Sequence, residues 1–353
     1  KKAIDAISRG AESIKFVIQN SSVSIEELLL NIDRDKTVVF FEMQFLNSEF
    51  SKKINKLKSK AGLFINTDII GNLSRSGNWY TNLKEDHTLF DSIVNETKTF
   101  SVDVSLYQNA GASMAQQLAY ALAHANEYFN HFKNTSIKIN EVIFNISVGT
   151  NYFFEIAKIR ALRLLFNTLI SEYNMKTSCH IVATPTKRNK TIYDYNTNLL
   201  RTTTECMSAV LGGANTINNL AYDAIYHKSN EFGERIARNQ LLVLKKESYF
   251  DKVNNPADGA YYIENLTDQI SEKALQVFKD IEELINHNQI KELFEKRFEE
   301  LQKEFSMFEK IKKFTLLPKE FSIEAGEITA TLKLKRKVIQ QKYKELIDKM
   351  YKD

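Results

Sequence analysis

The chain has 353 residues, 43% of them hydrophobic, which is enough for one large core and a small appendage because single cores stop growing near roughly 250–300 residues. Its formal net charge of +4 lies wholly beyond Glu283: 32 basic and 32 acidic residues precede that point, and 16 basic and 12 acidic residues follow it. With no cleavable signal pattern, no apolar run approaching about 18 residues and no long basic stripe interleaved with aromatics, neither membrane spanning nor nucleic-acid binding is expected.

Short apolar, β-branched runs recur along the chain, each followed by a longer stretch of helical periodicity. They fall at Ser13 to Ile18, Thr37 to Met43, Gly62 to Asn66, Phe100 to Tyr107, Val142 to Val148, His180 to Thr184 and Asn215 to Leu220. Continuous apolar strands such as Val38-Val39-Phe40-Phe41 predict a parallel sheet covered on both faces. The alternation fits either a doubly wound sheet or an eight-stranded barrel. Ser113 and Gln116 form a capping-box pattern ahead of a helix over Met114 to Phe132, whose Leu118, Leu122, Ala125 and Phe129 share one face. From Asp268 to about Lys312 the pattern is nearly unbroken helix, with Asn286-His287-Asn288 its weak point. Beyond it come a hairpin-like stretch from Phe314 to Ile323, a turn at Gly326, a strand from Thr329 to Leu334 and a final helix through Met350. Lys1 already lies in a helix-like stretch without an initial Met, so a preceding segment is expected.

Few residues announce chemistry. Tyr107, Gln108 and Asn109 end a strand and lead into the capped helix, where barrel enzymes place ligand-binding groups; polar residues there also tie down loops. Asn151 opens the next helix, on which Glu155 and Lys158 have the spacing of a surface ion pair. Thr184, Lys187, Arg188 and Lys190 follow a strand and suit a phosphate as well as a solvated loop. Arg235 and Arg238 are expected to pair with carboxylates between helices. The run Lys333, Lys335, Arg336 and Lys337 reads as a solvated strand end or a polyanion site. Cys179 and Cys206 lack metal-site spacing and fit a reducing compartment, so the cytoplasm is expected. No HExxH, CxxC or phosphate-loop pattern occurs.

Four stretches together resemble the barrel domain of methylmalonyl-CoA mutase: Tyr107 to Ala123 (YQNAGASMAQQLAYALA), Val148 to Leu165 (VGTNYFFEIAKIRALRLL), Leu200 to Gly213 (LRTTTECMSAVLGG), and Phe232 to Thr267 with its FGERIARNQ and NNPADGAYYIENLT runs. The resemblance covers residues 1–283 and implies an α/β fold, a TIM (β/α)8-type barrel lacking its first strand, its axis threaded in the family by the CoA arm of the substrate. Several departures bear on function. Where catalytic chains of the family carry two His and one Ser, the matching positions are Leu106, Val182 and Ile143; two family glutamines fall on Asn66 and Thr184. Each lost partner leaves a bound thioester or carboxylate poorer by roughly 1–3 kcal/mol. No DxHxxG sequence is present to supply a lower-axial histidine.

The pattern is similar to the noncatalytic small subunit of the heterodimeric bacterial mutases. That implies a large catalytic subunit as partner, adenosylcobalamin held by that partner and no cofactor bound by this chain. No catalytic residue is expected in the barrel; Tyr107, Gln108, Asn151, Thr184 and Lys187 are weak candidates at its mouth. The tail from Ile311 to Tyr351 resembles the C-terminal end of long-chain acyl-CoA synthetases, reaching back to Asn286, so residues 284–353 are expected to be a long helix followed by a small α+β unit. By position, Lys333 takes the place of that family's adenylate-contacting Lys. A genuine fusion, a misassembled reading frame and a constructed chimera fit the sequence equally; an acyl-CoA ligase fragment and a nonfunctional hybrid are the competing readings.

Overall fold

A computed structural model describes residues 1–57, 59–284, 313–315, 317, 321, 325–329 and 333–351. Two compact units divide the chain, Lys1–Phe278 and Lys279–Asp353. In the first, strands and helices alternate: α1 (Lys2–Ser8), β1 (Ser13–Ile18), α2 (Ile25–Leu29), β2 (Val38–Met43), α3 (Ser48–Asn55), β3 (Leu63–Asn66), α4 (Ile69–Ser76), α5 (Leu83–Thr97) and β4 (Thr99–Asp103). There follow α6 (Ser105–Asn109), α7 (Met114–Phe132), β5 (Glu141–Val148), α8 (Tyr152–Glu172), β6 (Ser178–Pro185), α9 (Thr197–Leu211), β7 (Thr216–Ile217), α10 (Glu231–Lys246) and α11 (Tyr261–Leu284), whose last residues pass the Phe278 boundary.

Every strand pairs parallel with its neighbours in chain order, β1-β2-β3 in one sheet and β4-β5-β6-β7 in another. The Ser101 amide donates to the Thr67 carbonyl at 3.0 Å, linking the end of β3 to β4. Phe40 of β2, Ile143 of β5 and Val182 of β6 share one buried cluster, with Val38 and Phe64 packed against it. Side chains from the two sheets thus meet in one buried apolar cluster. Larger clusters join the strands to the helices: Phe41 and Ile65 with Ile54 of α3, and Val102 and Phe144 with Phe129 and Phe132 of α7 and Phe166 of α8. Burying each such aromatic side chain contributes roughly 2–3 kcal/mol of transfer free energy.

The strand starts follow the sequence pattern; two strand ends do not. Tyr107 is not at a strand end, because β4 stops at Asp103 and Ser105–Asn109 coil into α6. Asp103 forces that exit: its carboxylate accepts the Ser105 amide at 3.2 Å and the Ser105 hydroxyl at 2.5 Å. Strand β7 is only Thr216–Ile217, since the Asn219 side chain turns away to donate to Ala237 O at 2.9 Å and to Gln240 Oε1 at 2.8 Å.

Gly111 has φ +108, a left-handed conformation that L side chains rarely adopt, and turns the chain from α6 into α7. Helix α7 carries the expected capping box, with the Gln116 amide donating to Ser113 Oγ and the Ser113 amide to Gln116 Oε1, at 3.4 and 2.9 Å. Ser113→Ala is therefore expected to cost about 1 kcal/mol, read as a lower urea midpoint at unchanged slope.

In the second unit, α12 (Arg336–Lys342) and α13 (Lys344–Tyr351) follow an isolated antiparallel bridge between Ile328 and Leu334. The expected helix from Ile285 to Lys312, most of the hairpin from Phe314 to Ile323, and the centre of the strand from Thr329 to Leu334 lie outside the described residues. Among the described residues no helix is long and apolar enough to cross a membrane.

Candidate functional site

Polar groups gather where the strands of the first unit end. Asp68 follows β3 and caps α4 by accepting the Gly71 amide at 2.7 Å; its other oxygen accepts the Asp103 amide at 2.8 Å, joining the ends of β3 and β4. His124 Nε2 lies 2.8 Å and the Tyr128 hydroxyl 2.7 Å from Asp68 Oδ1. The other imidazole nitrogen, Nδ1, sits 2.9 Å from the Tyr107 hydroxyl. The imidazole thus bridges Asp68 through Nε2 and the Tyr107 hydroxyl through Nδ1. Burial pushes the Asp68 carboxyl up, and the His124 imidazole, the Tyr128 hydroxyl and the Gly71 amide outweigh it, so its pKa ends below the ordinary value. Burial raises the Tyr107 hydroxyl, with Asp68 and Asp103 adding to the effect. The His124 contribution was not foreseen; its only signal was a polar residue interrupting the apolar face of α7.

Gln108 is buried and joins α6 to the loop after β6: its Oε1 accepts the Thr186 hydroxyl at 2.7 Å, and its carbonyl accepts Arg188 Nη1 at 2.9 Å. Thr184 Oγ1 accepts Asn218 Nδ2 at 3.3 Å. Asn151 and Lys187 are exposed, and Asn151 makes no side-chain cap to α8. Of the five mouth candidates, Tyr107 and Gln108 are thus built into hydrogen-bonded networks, Thr184 pairs instead with Asn218, and the other two face solvent.

Glu155 and Lys158 are not a surface pair. They are 3% and 2% exposed, 2.5 Å apart, and Lys158 Nζ also donates to Ser147 O at 2.7 Å and Gln117 Oε1 at 3.2 Å. Their face of α8 packs on β5, so the i,i+3 spacing describes a pair turned inward. A second buried pair joins Lys190 to Glu205 at 2.6 Å, with Asn189 Nδ2 donating to Glu205 at 2.5 Å. Burial lowers the Lys190 pKa and raises that of Glu205. Arg235 stacks on the Phe232 ring at 5.3 Å, and Arg238 Nε is buried without a hydrogen-bond partner among the described residues; neither makes the expected ion pair there.

The interior is the opposite of a ligand channel. Phe40 and Phe64 rings stack at 5.0 Å, and the His180 ring closes on them at 5.6 and 5.0 Å. His180 Nε2 contacts Thr216 Oγ1 at 3.0 Å, and burial, with Arg163 nearby, pushes its pKa down to about 4. Ile143 and Val182 complete the plug, and Asn66, 6% exposed, has both amide atoms without a partner among the described residues. No group of three or more His, Cys, Asp or Glu is placed to hold a metal ion among those residues. Lys333 is exposed in the second unit, its amide donating to Thr329 Oγ1 at 3.0 Å.

The family model for methylmalonyl-CoA mutase matches residues 24–311. The chain is 33% identical over 311 residues to the methylmalonyl-CoA mutase small subunit of Porphyromonas gingivalis, the alignment covering 80% of this chain and 50% of that protein. It is 33% identical over 198 residues to the methylmalonyl-CoA mutase of Rhizobium meliloti, covering 52% of this chain and 27% of the relative. The methylmalonyl-CoA mutase large subunit of P. gingivalis is 30% identical over 200 residues, covering 54% and 28%. This chain spans half or less of the length of these curated relatives.

Proposed function

The chain belongs to the methylmalonyl-CoA mutase family, and from that premise we propose that it is the noncatalytic small subunit of a heterodimeric mutase. In this reading it works in the cytoplasm, supporting the isomerisation of methylmalonyl-CoA and succinyl-CoA by a large catalytic subunit that holds the adenosylcobalamin. The fold is read as a TIM-type barrel open between β7 and β1, where its first strand belongs; each of those strands is paired on one side only.

The observation that carries the reading is the plugged interior. A CoA arm along this axis would have to displace Phe40, Phe64, Ile143 and Val182 from close packing, and those four hydrocarbon side chains offer nothing in place of the hydrogen bonds the arm loses to water. His180, the imidazole facing that interior, is held largely unprotonated by burial and is a poor donor of positive charge to an acyl oxygen. The residues present therefore do not fit a threaded substrate.

The family match runs past Glu283 to residue 311, so we read the mutase-like part as extending that far and the synthetase-like likeness as confined to residues beyond it. Lys333 would be the adenylate-contacting residue of the ligase alternative; exposed and outside any described nucleotide pocket, it does not make that alternative the stronger one.

The test is direct. The purified chain is expected to bind no adenosylcobalamin in isothermal titration, to turn over no methylmalonyl-CoA alone, and to co-elute with a large mutase subunit in size-exclusion chromatography. Tight corrin binding or unaided turnover would end the reading.

A further inference from the structure

The basic run in the second unit has no role in the proposed function, and its surroundings distinguish it from an ordinary solvated strand end. Glu327 is buried, and its carboxylate accepts Lys342 Nζ at 2.8 Å and the Tyr343 hydroxyl at 2.7 Å, while its carbonyl accepts the Lys335 amide at 2.8 Å. The Thr329 amide donates to the Lys333 carbonyl at 2.9 Å across the Ile328–Leu334 bridge. The turn and the end of α12 are thus fastened to one another. Lys333, Lys335, Arg336 and Lys337 are all exposed, and among the described residues none of the four makes an ion pair. The nearby carboxylate of Glu327 is already taken by Lys342.

Exposed aliphatic side chains are interleaved with these cations: Leu334 is 55% exposed and Val338 37%. We propose that this tip, residues 333–338, is a peripheral docking surface for an anionic lipid bilayer. Four unneutralised cations on a fastened turn complement the negative potential of acidic headgroups, and aliphatic side chains beside them enter the headgroup boundary. A nucleic acid is the poorer fit. Its phosphates gain nothing from Leu334 and Val338, and the Tyr343 ring beside the run is already engaged, with Lys342 Nζ 5.8 Å from its centroid and the Phe321 ring at 5.9 Å. The contact lies on the bilayer without crossing it.

The full 353-residue chain, sedimented with phosphatidylcholine vesicles with and without phosphatidylserine, is expected to partition at least about tenfold more strongly onto the anionic ones, and to be released as salt shortens the screening length. Lys335→Glu with Lys337→Glu, both exposed, should remove that preference at unchanged circular dichroism. Leu334→Ser keeps every charge and is expected to weaken vesicle binding severalfold. Equal partition onto both vesicle types, an unaffected charge-reversal variant, or tighter binding to a single-stranded RNA that Leu334→Ser leaves intact would each overturn the proposal.

Discussion

Asp68→Asn is expected to lower the free energy of unfolding by about 2–4 kcal/mol and to flatten the acid limb of stability. The carboxylate accepts from the Gly71 amide, the Asp103 amide, His124 Nε2 and the Tyr128 hydroxyl, at 2.7, 2.8, 2.8 and 2.7 Å. An Asn amide has one acceptor oxygen, so one rotamer sets its NH2 against the Asp103 amide and the other sets it against three donors. Either choice leaves a buried donor unpaired and weakens the remaining bonds by removing charge. The pH dependence follows from the lowered pKa of Asp68, which burial opposes and His124, Tyr128 and Gly71 bring about. In the window between the folded and unfolded values the unfolded chain binds more protons. The stabilisation is therefore complete above the unfolded carboxyl value of about 3.9 and is lost as pH falls through the lower folded value. Urea unfolding from neutral pH down to acid should show the wild type losing its advantage over the variant. Parallel acid limbs would contradict the assignment.

Lys190→Met is expected to cost about 3–5 kcal/mol, because it strands the Glu205 carboxylate in a site where that side chain has no solvent exposure. Replacing both partners, Lys190→Met with Glu205→Leu, should recover most of the loss, since burial already disfavours both charges: it lowers the Lys190 pKa and raises that of Glu205. Urea midpoints of the two single variants and the double variant give the coupling. Single and double variants that lose equal stability would mean that packing, not the charge pair, holds the loop after β6 to α9. The exposed Lys2–Glu234 pair, with side chains 77% and 42% exposed, is the contrast; Lys2→Met should change stability by less than about 0.5 kcal/mol.

The elements that local chemistry dictates were legible. Strand β1 runs Ser13–Ile18 as its apolar run does, and α7 spans Met114–Phe132 behind its Ser113–Gln116 box, because periodicity and caps act within a few residues. What escaped the sequence lay where a side chain from elsewhere decides the outcome. Asp103 captures Ser105 and ends β4 before Tyr107; Asn219 reaches Ala237 and Gln240 and cuts β7 short. The site was half legible for the same reason. Tyr107 and Gln108 stood out as polar residues near a strand end, whereas their partners His124 and Thr186 come from separate elements.

By itself the sequence determined the strand-helix alternation, the motifs that tie the chain to the mutase family, and the hydrocarbon at Leu106, Ile143 and Val182. Only the tertiary structure decided that Ile143 and Val182 meet Phe40 and Phe64 across one interior, and that Glu155 and Lys158 turn inward instead of facing water. A period of 2 or 3.6 fixes which residues share a face. What lies opposite that face depends on how the strands curl, a long-range packing outcome that no local pattern encodes.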